Sequence, residues 1–442
     1  MSSRSLVILV ALTSFLGACS LFDSEPEKAP LPGERISILD LQEELRPSES
    51  KKAQEVIDIP PATNYQDWPQ NGGYPHHAMQ NLAFGENAQI ERIWSADIGA
   101  GSSDRLPLNA RPVVAAGKVF TIDTKSNVRA FHNQTGKMLW ETNVRHQIEK
   151  DPVISGGLSY AGNVLYVTSG YNEVLALNPD TGEIYWRTQI SAGSRAAPTV
   201  YNGRVFVTGL NNNAMALNAK DGKILWEYEG VGETTGLLGA ASPAADEDIV
   251  VPVFTSGDIA ALHVENGSVA WSDSLANSLR LGGMAGLSDI RGLPVMKNGL
   301  VIAVSFGGKM AAFDKRNGTL IWQREVSSSE TPWVAGNTVY VLSSDYKLMA
   351  LGLTDGDILW IHDVPKYKNP ESRKGLLAWT GPIMVNGRLL LAGTDGEIAE
   401  FNPKDGNQMN SWSVKKTIRI TPIVADGTMY LISEDGSLLA YR

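Results

Sequence analysis

The chain has 442 residues, with 38 basic against 48 acidic side chains and a net charge of −10. That acidity excludes nucleic acid as a partner and adhesion to anionic lipid through the protein surface. A single cysteine excludes an internal disulfide framework and cysteine-based metal sites.

The N-terminus reads as a secretion signal over residues 1–18. One positive charge, Arg4, precedes a short apolar core from Leu6 to Leu16, followed by Leu16-Gly17-Ala18-Cys19. The apolar run is too short for a permanent membrane span. LGAC resembles the bacterial lipobox, whose cysteine is acylated and becomes the first mature residue. The alternative is an ordinary signal with an incidental cysteine, but Cys19 stands where a lipobox needs it. Loss of Arg4 with the signal takes the net charge to −11. Several acyl chains on one residue anchor stably where one chain holds marginally. Ser20 follows the cysteine in place of a retaining aspartate, so the lipobox resemblance implies the periplasmic face of an outer membrane. Membrane contact is then through the N-terminal lipid only.

Residues 19–61 are rich in acidic residues and proline, with no aromatic after Phe22. Such a composition buries too little apolar surface to offset chain entropy, which predicts a flexible tether. Residues 62–442 form the folded domain.

Within that domain, tryptophans recur at intervals of 38 to 52 residues: Trp94, Trp140, Trp186, Trp226, Trp271, Trp322, Trp360 and Trp412. A period of this size marks a repeat architecture. Six of them close a phrase of the form Gly-x-x-x-Trp, such as TGKMLW and DGKILW; Trp412 ends a stretched DGNQMNSW, and Trp94 has no glycine before it. Each parcel opens with a strand pair such as PVVAAG from Pro112 or PTVYNG from Pro198, continues with a β-branched run, and adds a strand centred on alanine. Only the seventh parcel departs there, with Glu400 in IAEFN. Asn-Gly and Asp-Gly turns, from Asn202-Gly203 to Asp426-Gly427, predict type I′ hairpins.

Four short strands per parcel predict an all-β, eight-bladed β-propeller of four-stranded antiparallel blades. Seven parcels are complete. The last stops at LLAYR with three strands, and ERIWSADI near residue 94 is a lone fourth strand. Together they predict a last blade closed by N- and C-terminal strands, which hides two open edges. The eight tryptophans are then blade closures.

The repeat A-x-[DN]-x-x-[TD]-G-x-x-x-W resembles that of quinoprotein propellers, which bind pyrroloquinoline quinone (PQQ). That resemblance implies the fold. A PQQ-dependent periplasmic dehydrogenase also needs a calcium site, an aspartate base and often a cysteine pair. This chain lacks the pair, and Asp180, Asp221 and Asp355 sit in turns. The six histidines, including the adjacent His76-His77, show no metal-ligand spacing. We expect no enzyme activity, no metal and no cofactor.

Function is expected in the links between blades, because long loops gathered on one face of a rigid scaffold carry it. They vary from 10 residues between Trp322 and Pro332 to 23 between Trp271 and Pro294. Lipobox, acidic tether and quinoprotein-like propeller together are similar to the BamB family, lipoprotein scaffolds of the outer-membrane β-barrel assembly machinery. The resemblance implies docking on the periplasmic domains of BamA, contact with other assembly-machinery subunits and delivery of unfolded outer-membrane proteins. The family's contacts lie in two links. One carries Leu-x-Leu-Arg; SAGSRAAP here keeps Arg195 but no leucine. The other carries Leu-Ser-Asp-x-Asp; GLSDIRGLP keeps Asp289 but places Arg291 at the second aspartate. Arg195 and Asp289 are therefore the partner-binding candidates. A propeller binding another exported polymer or peptide is a further alternative.

Overall fold

A computed structural model describes residues 45–48, 57–85, 90–146, 151–233, 236–237, 239–276 and 287–442. Cys19, the signal and most of the tether lie outside these residues.

Eight antiparallel blades form, the first seven with their four strands in sequence order. Blade 1 comprises Val113–Ala115, Lys118–Ile122, Asn127–His132 and Met138–Asn143. Blades 2 to 7 repeat this over 158–189, 199–229, 244–274, 295–324, 333–363 and 379–413. Blade 8 has three strands over 423–441, and Arg92–Asp97 completes it by pairing antiparallel with Ser437–Tyr441. The closure expected from the two chain ends is thus present. Inner strands alternate small and branched apolar residues, so their side chains face neighbouring blades on both sides. The core accordingly lies between blades: separate clusters join blades 1 and 2, 2 and 3, 3 and 4, 4 and 5, and 5 and 6. A larger cluster runs from blade 6 through 7 and 8 to blade 1.

The Asn-Gly and Asp-Gly turns fall into two classes. Asn202, Asn298, Asn386 and Asp426 have positive φ with the following glycine, as a type I′ turn requires. In the turns before the fourth strand only the glycine is left-handed. There Asp221 instead caps the loop, its carboxylate accepting from Lys223 N at 3.2 Å. The expectation of type I′ geometry at every such dipeptide is corrected by this longer loop.

The glycine of that loop explains the repeat. Gly222 has φ +72°, and a Cβ on it would lie 2.6 Å from the Trp186 ring. Each glycine therefore packs on the tryptophan of the preceding blade, not on the tryptophan of its own phrase. Seven indoles, Trp94 to Trp360, also donate Nε1–H to a carbonyl of the neighbouring blade's loop at 2.8–3.2 Å. Within a blade, the alanine of the third strand faces the tryptophan, as Ala216 faces Trp226.

Trp412 departs from the pattern and corrects its reading as an eighth equivalent closure. Asn410 occupies the tryptophan register opposite Glu400, and Trp412 pairs two residues further on, with Ile398. Glu400, buried where alanine is usual, is held by Arg388 at 2.5 Å. The neighbouring blade is the closing one and has no loop there, because its fourth strand comes from residue 92. Trp412 Nε1 is buried without a partner, and its ring packs on Tyr441 instead, 5.2 Å between centroids.

The segment ahead of the repeats is not legible as a blade. Residues 65–85 circle the inner strands and touch all eight blades in order. Asp426 N donates to Tyr65 O, Trp68 exchanges two backbone bonds with Val114, and Tyr160 N donates to Pro69 O. Gln70 makes both side-chain bonds to Val200, Ala245 N reaches Pro75 O, and Met296 N reaches His76 O. Trp333 Nε1 donates to Gln80 O, Asn81–Leu82 adds a fifth, parallel strand to blade 7, and Gly85 N meets Gly427 O. This ring plugs the channel beside the first turns of the blades. Gly72 and Gly73, at φ +78° and +89°, let it reverse where a Cβ would strike His77 and Met79.

Candidate functional site

The two faces differ in construction. On one, third turns bond back to first turns, as Ala219 N to Gly203 O and Lys315 N to Gly299 O, leaving short compact corners. On the other, each second turn meets the link of the preceding blade: Thr124 N with Ala100 O, Leu210 N with Gly193 O, Phe306 N with Asp289 O, Ser344 N with Ser327 O. The long links therefore share one face, as strand alternation requires.

Arg195 and Asp289 come together there, lining one groove of about 210 Å3 between blades 3 and 5. Arg195 is half-buried in the link to blade 3. Buried Ser194 fixes its turn by donating to Thr208 O at 2.8 Å and accepting from Ala196 N at 3.2 Å. Asp289 is 2% exposed, and its carboxylate accepts from Leu237 N at 2.6 Å. Burial pushes its pKa up to about 6, against the Leu237 N–H and the nearby Arg291, which pull it down. Asp289 thus ties the link of blade 3 to that of blade 4, while Arg195 has surface to offer.

The leucines absent from SAGSRAAP have a spatial substitute. Leu210, in the second turn of blade 3, lines the same groove and is 39% exposed, and Val231 on the neighbouring link is 63% exposed. A large apolar residue in the polar turn GLNNN was the only sequence signal for it. Trp379, by contrast, is a core residue whose indole donates to Pro365 O at 2.8 Å. Its link instead raises a hairpin, Tyr367–Asn369 with Lys374–Leu376, that exposes Leu376. Residues 277–286 of the longest link lie outside the described residues.

Among the described residues no three His, Cys, Asp or Glu side chains gather as a metal site. His77 belongs to the plug. Its Nδ1 lies 2.8 Å from Pro294 O, Nε2 has no partner, and burial lowers its pKa to about 4.

Comparison with known proteins places these features in a family. The family described as "Outer membrane protein assembly factor BamB" matches residues 86–161 and 124–362. The chain belongs to the BamB family. BamB of Yersinia pestis is 27% identical over 356 residues, covering 79% of this chain and 88% of that protein. BamB of Escherichia coli K12 is 27% identical over 350 residues, covering 78% and 87%. Among solved structures, BamB from Moraxella catarrhalis superposes with a TM-score of 0.67 at 21% identity, over 80% of this chain and all of that one. A quinohemoprotein alcohol dehydrogenase from Comamonas testosteroni gives 0.65 at 13% identity, over 86% and 81%. The two TM-scores are nearly equal, so the propeller itself does not separate a BamB from a dehydrogenase; the family match does.

Proposed function

We propose that the protein is a non-catalytic scaffold lipoprotein that docks the periplasmic domains of BamA and assists assembly and insertion of β-barrel proteins into the outer membrane. Residues 1–18 are the signal, Cys19 carries the lipid, and the acidic stretch after it spaces the propeller from the periplasmic face of the membrane. The observation that carries the docking reading is the groove holding Arg195, Leu210 and the Asp289–Leu237 tie on the long-link face. A cation beside exposed aliphatic side chains on a rigid scaffold suits a protein partner. Arg195 would make the contact, and Asp289 would hold the loop that shapes it. The described residues of the acidic stretch bond away from this groove: Ser48 N to Ile358 O at the edge of blade 6 and Asp58 N to Asn337 on the opposite, short-turn face.

Contact with unfolded clients is supported by the outer strands. Their free edges expose Met138, Leu139, Ile224, Leu225, Leu320 and Ile321, which suits addition of an extended strand.

Affinity capture of the full-length lipoprotein from solubilised membranes tests the docking reading. BamA should be recovered with the wild type, and Arg195→Glu should cut recovery about tenfold, near the 1.4 kcal/mol of a contact charge. Leu210→Asp should do the same. If the wild type recovers no assembly subunit the function falls; if both variants recover BamA normally, the groove is not the contact.

A further inference from the structure

A second cavity, of about 240 Å3, opens on the propeller axis at the long-link face. All eight blades contribute to its wall, and the plug residue Asn71 forms part of its floor, so it is a blind well and not a channel. Its charge runs against that of the whole chain. Four arginines, Arg111, Arg195, Arg291 and Arg419, line it, against two glutamates, Glu330 and Glu434.

Both glutamates are already engaged within the wall. Glu434 pairs with Arg419. Glu330 accepts from Thr380 Oγ1 at 2.8 Å and from Gly381 N at 3.2 Å. Arg111 bonds a neutral group, Thr421 Oγ1, at 3.1 Å. Among the described residues, Arg195 and Arg291 have no carboxylate within salt-bridge distance. Asn109 Nδ2, another donor in the wall, is buried with no partner. Burial pulls the Arg111 guanidinium below its ordinary value; Glu330 opposes this, and the like charge of Arg291 adds to it. Three guanidinium groups without an ion pair and the orphan Asn109 amide thus line one space, where the unpartnered side-chain acceptor is Asn71 Oδ1. Cations confined this way are costly unless an anion joins them.

We infer that this well is a binding site for a small oxyanion bearing two or more carboxylate or phosphoryl groups, held by Arg111, Arg195 and Arg291 with Asn109 as a neutral donor. Guanidinium forks match the oxygen pairs of both groups, and a small cavity limits the ligand to about the size of citrate or pyrophosphate. The site adjoins the docking groove, sharing Arg195, Gly239 and Ala240 at the rim. It would make the anion a structural clamp on the links that lead into blades 1, 3 and 5.

Calorimetric titration of the full-length lipoprotein in non-ionic detergent tests this, with citrate and pyrophosphate as probes and sodium chloride at equal ionic strength as control. Saturable one-to-one binding of at least one probe is expected, with a rise in unfolding temperature that chloride does not reproduce. Arg291→Gln and Arg111→Gln should each weaken binding at least tenfold, whereas Arg316→Gln, at an exposed loop of blade 5, should leave it unchanged. Should Arg111→Gln fail to fold, Asn109→Leu with Arg291→Gln carries the test. Non-saturating heats, chloride-like stabilisation, or unchanged affinity in Arg291→Gln would overturn the assignment. Loss of BamA capture with intact anion binding would sink only the docking reading.

Discussion

Seven blade interfaces and the one between blades 7 and 8 solve the same problem differently. At the seven, an indole sits under a left-handed glycine and donates to the next blade's loop. At the eighth no such loop exists, because the third and fourth strands of blade 8, Ser437–Tyr441 and Arg92–Asp97, come from distant parts of the chain. There Trp412 slides two residues along its strand, leaves its donor unpaired and packs at a tilt on Tyr441. The plug supplies the missing link: Asn81–Leu82 pairs with blade 7, Phe84 N donates to Asn386 Oδ1 at 3.1 Å, and Gly85 N meets Gly427 O of blade 8. A repeat can thus dispense with its signature contact where another segment of backbone crosses the gap.

The largest way to break this contrast is Gly222→Val, which forces a branched side chain into positive φ and onto the Trp186 ring. It should cost about 4 kcal/mol in denaturant unfolding, and a cost under about 1 kcal/mol would remove the glycine from the lock. Next comes the plug. His77 titrates at about 4 when folded against 6.5 unfolded, so the unfolded chain binds the proton first as pH falls. Its contribution is full above pH 6.5 and is lost as pH drops toward 4, by up to about 3 kcal/mol. His77→Gln should flatten that slope in a pH series of unfolding curves, and a parallel slope would exclude His77 as its source.

Smaller, and sharper for the comparison, is one substitution made at two sites. Trp226→Phe strands the Val264 carbonyl, whereas Trp412→Phe removes a donor that has no partner. The first should be the more destabilising by about 1–2 kcal/mol, the cost of an unmade buried hydrogen bond. Equal losses would mean that ring volume alone matters at both. The smallest expected effect is that of Trp412→Phe on the indole donor itself, near zero beyond the lost ring volume.

Much of this architecture was legible without coordinates because repeats average over local ambiguity. The alanine opposite each tryptophan, the paired turns and the truncated last parcel led to eight blades and their closure. Glu400 marked the seventh blade as different, but its meaning needed the register that puts Asn410 in the tryptophan slot. The glycine-to-tryptophan contact was hidden for a simpler reason: it joins residues about 40 apart, while the phrase displays a pair four apart. Of the candidate site, Arg195 and Asp289 were found by family resemblance, and the groove they share with Leu210 was not.

The sequence by itself determined the blade, the repeat count and the face that carries long links, since all three follow from strand alternation and turn chemistry along the chain. Tertiary structure alone decided the plug, the burial of Asp289 and the meeting of Arg111, Arg195 and Arg291. Those residues are separated by roughly 80 to 180 positions and brought together only by ring closure. No local pattern encodes a radius. Closing the ring turns the start of each blade toward one axis, and there charges scattered along the chain become neighbours.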